Sequence, residues 1–285
     1  MPTDLYCVFG NPIGHSKSPK IHALFAAQTA QDMRYEARLA PLDGFAATVA
    51  RFIADGGRGA NVTVPFKEEA FRLATQRTPR AEAAGAVNTL SFTDGQIVGD
   101  NTDGAGLVRD LKHNLGCNPA GRRILLLGAG GAARGVILPL LLEQPARLVI
   151  ANRTAEKAVR LVQEFARLPA CAISIKPESC GFDALTNLTK ERFDLVINAT
   201  STGLTNTVLP TSTSLFAPGC VAYEMLYGRE TPFMEQARSV LDVRVADGLG
   251  MLVEQAAEAF FVWRGVRPDT QAALVALAAL AELHQ

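Results

Sequence analysis

The sequence has no excess of charge of either sign. Lys plus Arg and Asp plus Glu both number 28, so the formal net charge at pH 7 is +0. A neutral chain has no long-range field that would attract nucleic acid or an anionic membrane surface. We therefore expect neither as a partner, and any site for an anion must be built locally.

Cysteine and histidine are scarce and dispersed. The five cysteines form no C-x-x-C pair, so neither a disulfide framework nor a zinc site is indicated. The four histidines show no metal-ligand spacing. We expect no metal ion, and free thiols in a reducing cytoplasm.

Long hydrophobic runs are absent as well. The apolar segment 5–9 is too short for the core of a signal peptide and has no basic flank. The most apolar stretch, 124–142, is interrupted by glycines, Arg134 and Pro139, which predicts a strand, a turn and a buried helix instead of a membrane span. With 285 residues, 48% of them hydrophobic and 20% charged, the chain is typical of a globular protein of two domains.

Strands and helices alternate in the first third of the chain. Apolar residues predict a strand at 5–9 and another at 61–64, which a proline ends. A Ser-Pro pair predicts a helix over 18–30, with Ser18 as its N-cap. Asp94-Gly95 between two apolar segments predicts a hairpin, which adds an antiparallel pair to a mixed sheet.

The second half repeats strand and helix in the order of parallel βαβ units. The last segment holds two helices, and the wide apolar face of the first should return to the first domain and leave a cleft between the domains. We therefore predict an α/β fold with an N-terminal mixed-sheet domain at 1–104, completed by 248–285, and a Rossmann-type doubly wound domain at 105–247. The predicted strands of the second domain are 124–127, 148–151, 171–175 and 195–199, with helices from about Gly131 and Thr154.

A glycine-rich turn follows the first of these strands. Residues 128–133 read G-x-G-x-x-A where the strand becomes a helix. Glycines permit a tight turn and close approach to a pyrophosphate, and the helix N-terminus offers free N–H groups to the anion. This context favours a dinucleotide site over an ordinary packing turn.

The end of the next strand indicates which dinucleotide is bound. An NAD-specific fold usually places Asp or Glu there, but this chain has Asn152-Arg153-Thr154. Arg153 and Lys157 flank a helix start, where cations are unfavourable unless an anion lies between them. They are either solvated surface cations or ligands of a 2'-phosphate, and together with the glycine turn they favour NADP.

Polar residues cluster at the predicted C-terminal ends of strands in the first domain, where open α/β sheets bind ligands. Their hydroxyls and amide match a polyhydroxylated substrate. Lys67 and Asp103 are the candidate pair for proton transfer. Taken alone, Lys67 is better explained as a solvated lysine at a helix start, and a plain N-cap explains Asp103 equally well. The cluster contains Ser16, Ser18, Thr63, Lys67, Asn88 and Asp103.

Six spaced motifs together resemble the shikimate dehydrogenase family, and the match runs in order from residue 5 to about 268. The resemblance implies an oxidoreductase of the shikimate pathway that reversibly oxidises shikimate to 3-dehydroshikimate with NADP, working in the reducing direction in aromatic amino acid biosynthesis. The motifs are GNPIGHSKSP at 10–19, NVTVPFK at 61–67, GAVNT at 85–89, GDNTDG at 99–104, GAGGA at 128–132 and DGLGML at 247–252.

The resemblance also implies roles for individual residues. Lys67 would be the general acid/base, and Asp103 would be its partner. The substrate would be bound by Ser16, Ser18, Thr63, Asn88, Asp103, Tyr227 and Gln255. NADP would be held by Gly128, Ala129, Gly130, Gly131, Ala132, Asn152, Arg153, Thr154, Lys157, Met225 and Gly248.

Two departures from the family pattern affect the cofactor side. Glu224 stands where the family usually has Asp, and its longer side chain can shift its hydrogen bonds and the placement of Tyr227. Lys157 stands where some members have Arg, so a point charge replaces a planar fork. The alternatives are a quinate/shikimate dehydrogenase that uses NAD and a noncatalytic NADPH-sensing module. The oligomeric state is a monomer or a homodimer.

Overall fold

The computed structural model describes residues 3–167, 175–185 and 192–282. It divides the chain into two compact units, Met1–Gly106 with Leu252–Gln285 and Leu107–Met251. The chain passes from one unit to the other after Gly106 and again after Met251, two and four residues beyond the predicted limits at 104 and 247. None of the described helices is long and apolar enough to cross a membrane.

A mixed six-stranded sheet forms the first unit. Its strands are β1 (Asp4–Gly10), β2 (Met33–Leu39), β3 (Gly57–Val62), β4 (Gln76–Arg77), β5 (Thr89–Thr93) and β6 (Gln96–Asp100). They lie in the order β2-β1-β3-β5-β6-β4, with β1 parallel to β2 and β3 and with β5 antiparallel to β3 and β6. The predicted hairpin is confirmed, since Asp94 and Gly95 join β5 to β6 with φ of +51° and +73°.

Aromatic side chains pack on both faces of this sheet. Phe45 and Phe52 meet Phe9 edge-on, with ring centroids 6.0 and 5.5 Å away. Tyr6 points to the opposite face, because side chains alternate along a strand, and packs 4.8 Å from Trp263. The helices that follow the strands of this unit are α1 (Ser18–Gln28), α2 (Phe45–Ala54), α3 (Lys67–Leu73), α4 (Pro79–Ala84) and α5 (Asp103–Arg109).

A parallel six-stranded sheet forms the second unit. Its strands are β7 (Arg123–Leu127), β8 (Arg147–Asn152), β9 (Glu178–Gly181), β10 (Phe193–Asn198), β11 (Phe216–Glu224) and β12 (Arg244–Ala246). Their order β12-β11-β10-β7-β8-β9 is that of a doubly wound nucleotide-binding sheet, as predicted. The apolar run 124–127 in central β7 is fully buried, as expected of a strand covered on both faces.

Among the described residues, five α-helices follow β7. Three of them accompany the second sheet, and the last two return the chain to the first unit, as the sequence predicts. Their bounds are α6 (Gly131–Leu142), α7 (Ala155–Phe165), α8 (Pro232–Arg238), α9 (Leu249–Arg264) and α10 (Gln271–Glu282).

Two predicted boundaries in the first unit are wrong. The strand predicted at 61–64 ends at Val62, because a turn closed by the Phe66 N–H on the Thr63 carbonyl already begins there. The strand starts earlier than predicted, at Gly57, in a glycine-rich segment. Glycine is needed in this segment because a Cβ at Gly59 would lie 2.6 Å from Trp263 Nε1. Ser18 is the first helical residue of α1 and not its N-cap, which is Lys17.

Two further predictions concern helix and strand ends. The helix α1 ends at Gln28 and not at residue 30, because Ala30 adopts a positive φ of 51°. The strand predicted at 171–175 falls almost entirely outside the described residues, and the edge strand that pairs with β8 is β9.

Candidate active site

Asn88 is the centre of a polar cluster in the first unit. Its Oδ1 accepts the Thr102 N–H at 2.8 Å, which fixes the orientation of the amide because a backbone N–H can only donate. Its Nδ2 then donates to Asp103 Oδ1 at 2.8 Å and to Gln255 Oε1 at 3.3 Å. Three residues predicted from the sequence thus meet in one hydrogen-bonded group.

Lys67 joins this group through an ion pair. Its Nζ lies 2.6 Å from Asp103 Oδ2, and the two side chains are 31% and 19% exposed. Lys67 is the first residue of α3, and its carbonyl accepts the Val87 N–H at 2.9 Å, which anchors the backbone. Lys67 is therefore partly buried and paired, and it is not a freely solvated lysine.

Asp103 is the first residue of α5 and not its cap. Its N–H donates to Asn101 Oδ1 at 3.2 Å, so an Asx turn of Asn101 satisfies this N–H at the start of the helix. Both carboxylate oxygens of Asp103 are therefore available to Asn88 and Lys67.

Ser16 and Thr63 lie in the loops that follow β1 and β3, and Ser18 begins α1. The Ser18 N–H donates to Ser16 Oγ at 3.3 Å, so the two serines form one turn at the start of α1. Glycine is required at position 10, where a Cβ would lie 2.6 Å from Thr63 Cγ2. The loop after β1 therefore approaches the turn after β3.

Sequence reasoning missed the residues that support Asn88 from behind. Tyr35 donates to Asn61 Oδ1 at 2.7 Å, and Asn61 Nδ2 donates to the Asn88 carbonyl and to Thr89 Oγ1, each at 3.1 Å. Asn61 and Thr89 are buried. A polar residue within an apolar strand was the available signal, because buried polar groups need partners.

In the second unit, the glycine turn lines a cavity of about 680 Å³. Gly128 has a φ of +111°, and a Cβ there would lie 3.0 Å from the Ala199 carbonyl oxygen, so the turn requires glycine. Gly130 and Gly131 face open space at the start of α6. The first N–H groups of this 12-residue helix are therefore free to bind an anion.

Two cations stand on the wall of the same cavity. Arg153 and Lys157 line it together with Asn152 and Thr154. Within the described ranges, neither cation forms an ion pair with a carboxylate. Positive charge near a helix start without a counter-charge fits a phosphate group.

Other cavity residues were not predicted. The segment after β10 and a few apolar side chains complete the wall. A run of small hydroxyl residues after a buried strand was the signal in the sequence. The unpredicted lining residues are Phe182, Ala199, Thr200, Ser201, Thr202, Leu204, Thr205, Thr207 and Leu226.

Met225 and Gly248 do not line this cavity, but they meet each other. The Gly248 N–H donates to the Leu226 carbonyl at 3.0 Å, and a Cβ at Gly248 would lie 2.2 Å from the Met225 carbonyl oxygen. Tyr227 follows in the same segment of the second unit and is 40% exposed. The structure therefore groups these three residues with one another in the nucleotide-binding unit.

Glu224 fixes the segment that contains them. The Leu226 N–H donates to its Oε1 at 3.1 Å, while Asn198 Nδ2 and Thr231 Oγ1 donate to its Oε2 at 2.7 and 2.9 Å. The carboxyl group is fully buried. Burial raises the pKa of Glu224, and these hydrogen bonds oppose the shift without cancelling it.

We expect Glu224→Gln to lower the free energy of unfolding by about 1–3 kcal/mol at pH 7, because an amide N–H₂ would face the donors of Asn198 and Thr231. The raised pKa adds a pH signature. Stability from a raised pKa is present at low pH and is lost as the pH rises through the folded value. The deficit of the variant should therefore grow between pH 7 and pH 5 in urea unfolding. Exposed Glu235→Gln is the control, and a deficit that shrinks toward pH 5 contradicts the assignment.

Models of three domains from one family match the chain. The substrate-binding domain of shikimate dehydrogenase matches residues 8–90, and the shikimate/quinate 5-dehydrogenase model matches 110–211. The C-terminal domain of shikimate 5'-dehydrogenase matches 248–277. The chain belongs to the shikimate dehydrogenase family. The matched regions contain Lys67, Asn88, Gln255 and the glycine turn, while Asp103 lies between the first two of them.

Similar proteins cover nearly the whole chain. A shikimate dehydrogenase (NADP(+)) of Dechloromonas aromatica (strain RCB) is 62% identical over 278 residues, 97% of this chain and 98% of its own. The crystal structure of an Ael1 enzyme from Pseudomonas putida is 48% identical, with a TM-score of 0.89 over 96% of this chain and 98% of its own. The shikimate 5-dehydrogenase of Thermus thermophilus, in complex with NADP(H) and shikimate, is 30% identical, with a TM-score of 0.81 over 98% and 99%.

Proposed function

We propose that this chain reversibly oxidises the 3-hydroxyl group of shikimate to give 3-dehydroshikimate with NADP, and that it works in the reducing direction in aromatic amino acid biosynthesis. The observation that carries the proposal is the Lys67–Asp103 ion pair of 2.6 Å, joined through Asn88 to Gln255. The similarity to NADP-dependent shikimate dehydrogenases over nearly the full chain supports it.

Lys67 Nζ holds and moves the proton. In reduction, negative charge develops on the carbonyl oxygen of the substrate, and an ammonium group stabilises this charge and then protonates the oxygen. In oxidation, the neutral amine accepts the hydroxyl proton. Asp103 Oδ2 orients the ammonium, and the hydrogen bond from Asn88 to Asp103 Oδ1 holds the carboxylate in place.

The remaining polar residues bind the substrate. Hydroxyl and amide groups both donate and accept, so they suit a ring that carries several hydroxyl groups and a carboxylate. The residues that we assign to this task are Ser16, Ser18, Thr63, Asn88, Asp103, Tyr227 and Gln255.

The cavity of the second unit fits NADP. The open N–H groups at the start of α6 suit the pyrophosphate, and the positive charges of Arg153 and Lys157 suit the 2'-phosphate. When bound, the cofactor supplies the hydride chemistry at C4 of its nicotinamide. We assign Met225 and Gly248, which pack against each other, to the same ligand.

Initial rates with four substrate pairs test the proposal. Shikimate and quinate are each offered with NADP and with NAD, and we expect shikimate with NADP to give the highest kcat/KM. Robust quinate oxidation with NAD would favour the NAD-dependent quinate/shikimate enzyme, against which Arg153 and Lys157 argue. Turnover of no pair would favour a noncatalytic NADPH sensor, which has no use for the Lys67–Asp103 pair.

We also propose that the enzyme works in the cytoplasm, where NADPH for biosynthesis is held, as a monomer or a homodimer. Sedimentation equilibrium at micromolar concentration distinguishes the two states by mass, since one chain has a mass of 30.4 kDa.

A further inference from the structure

An ion-pair network adjoins the Asn88 cluster in the first unit. Arg80 of α4 donates from Nε and Nη2 to the two oxygens of Asp100, each at 2.6 Å. Its Nη1 donates to Glu258 Oε1 at 2.9 Å. The carboxylates of Asp100 and Glu258 are only 7% and 12% exposed. One guanidinium group therefore holds two nearly buried carboxylates that belong to different elements.

The first carboxylate fixes the strand end that presents Asn88 and Asp103. Asp100 is the last residue of β6, and its backbone carbonyl accepts the Asn88 N–H at 3.0 Å. Its Oδ1 also accepts from Thr78 Oγ1 at 2.6 Å and from the Asn101 N–H at 2.7 Å. Asp103 follows three residues later, so the position of Asp100 determines the position of the Asp103 carboxylate.

The second carboxylate fixes the helix that presents Gln255. Glu258 lies three residues after Gln255 in α9, on the same side of the helix. It also accepts from Arg267 Nη2, which closes the network on the far side. At Gly106 of α5 a Cβ would lie 2.6 Å from the Gln255 backbone nitrogen, so the two helices are in direct backbone contact there.

Both carboxylates are held in the ionised form. Burial acts to raise the pKa of Asp100 and of Glu258, but hydrogen bonds from the arginines outweigh it and lower both values. The guanidinium fork matches this arrangement because it donates in three directions within one plane. An ammonium group is a point charge and cannot span both carboxylates in the same geometry.

We propose that Arg80 is a positioning residue of the substrate site: by holding Asp100 and Glu258 together it sets the separation of Asp103 from Gln255, and thereby the affinity for the polyhydroxylated acid. The inference rests on the proposed function for the identity of that acid. Arg80 acts through Asp100 and Glu258 and not by contact with the substrate.

The test compares binding of the two ligands to Arg80→Lys by calorimetry. We expect the Kd for shikimate to rise tenfold or more, because the point charge leaves one carboxylate poorly paired and the Asn88 cluster relaxes. The Kd for NADPH should stay within twofold, since other residues form the nucleotide cavity. Arg77→Lys is the matched control. Like Arg80, Arg77 pairs with a carboxylate, that of Glu82 in α4, at 2.6 Å. In Arg77→Lys the Kd values for shikimate and NADPH should both stay within twofold of wild type.

Four results separate the possibilities. A shikimate Kd within twofold of wild type in Arg80→Lys overturns the inference. The inference is also overturned if the number of binding sites per chain falls equally for both ligands while the Kd values stay unchanged, because that result shows a purely structural role. If Arg80→Lys does not fold, Glu258→Gln replaces it, and the shikimate Kd should then rise threefold or more; no rise overturns the inference. If the wild-type chain binds shikimate without oxidising it, the proposed function is wrong. The Kd values of the variants then still decide whether Arg80 positions the substrate site.

Discussion

Replacing Lys67 with alanine lowers kcat for shikimate oxidation by about 10²-fold or more, while the affinity for shikimate stays within about tenfold. The change removes the ammonium that lies 2.6 Å from Asp103 Oδ2, so no group remains in that position to accept or return the proton. Asn88 and Gln255, which we propose bind the substrate, keep their hydrogen bond. Steady-state kinetics with saturating NADP, together with the dissociation constant for shikimate, measure both effects.

The matched control for this variant is Lys112→Ala. Lys112 also forms an ion pair, at 2.8 Å from Glu143, but it lies in the second unit and does not line the nucleotide cavity. Its removal should change kcat by less than twofold, because an exposed ion pair contributes little. If Lys67→Ala retains the wild-type kcat, Lys67 is not the acid/base, and the proposed mechanism is wrong.

The double variant Arg153→Ala with Lys157→Ala should lower kcat/KM for NADP by ~10–100-fold and change that for NAD by less than about threefold. In the proposed site each cation would donate a charge-assisted hydrogen bond to the 2'-phosphate, and NAD has no such group. Both side chains are exposed, so salt screens part of their effect, and the difference between the cofactors should shrink as ionic strength rises.

Arg160→Ala is the control for this pair. Arg160 is an exposed cation of the same helix, α7, and does not line the cavity. Its loss should leave the ratio of NADP to NAD efficiency within twofold of wild type. A double variant that loses efficiency equally with both cofactors would show that the two cations act on the shared part of the dinucleotide or on folding, and not on the 2'-phosphate.

The parts of the fold that follow local rules were predictable from the sequence. The strand, glycine turn and helix at 124–131 follow from an apolar run and from Gly128, whose φ of +111° a side chain disfavours. The hairpin at Asp94-Gly95 follows from a two-residue turn signal. The clustering of Asn88 and Asp103 was predicted, but the predicted C-terminal strand end is wrong for Asn88, which lies just before β5. It meets Asp103 because β5 and β6 are antiparallel, so the start of β5 lies beside the end of β6.

The rest depends on pairing between distant segments. The three partners of Glu224 come from β10, the start of α8 and its own loop, and no local pattern relates them. Arg80 and Glu258 are 178 positions apart in the sequence, so their contact requires the return of α9 to the first unit. The early start of β3 could not be predicted, because glycine has a low strand propensity. The glycines of β3 are needed because a Cβ there would clash with neighbouring side chains.

The most direct measurement is a crystal structure of the chain with shikimate bound. The account predicts that Lys67 Nζ lies within about 3.2 Å of the C3 hydroxyl oxygen, the reach of proton transfer. Asp103 should remain paired with it, and Asn88 should hold a neighbouring hydroxyl group. An ammonium group turned into solvent, with another side chain on that oxygen, would contradict the account.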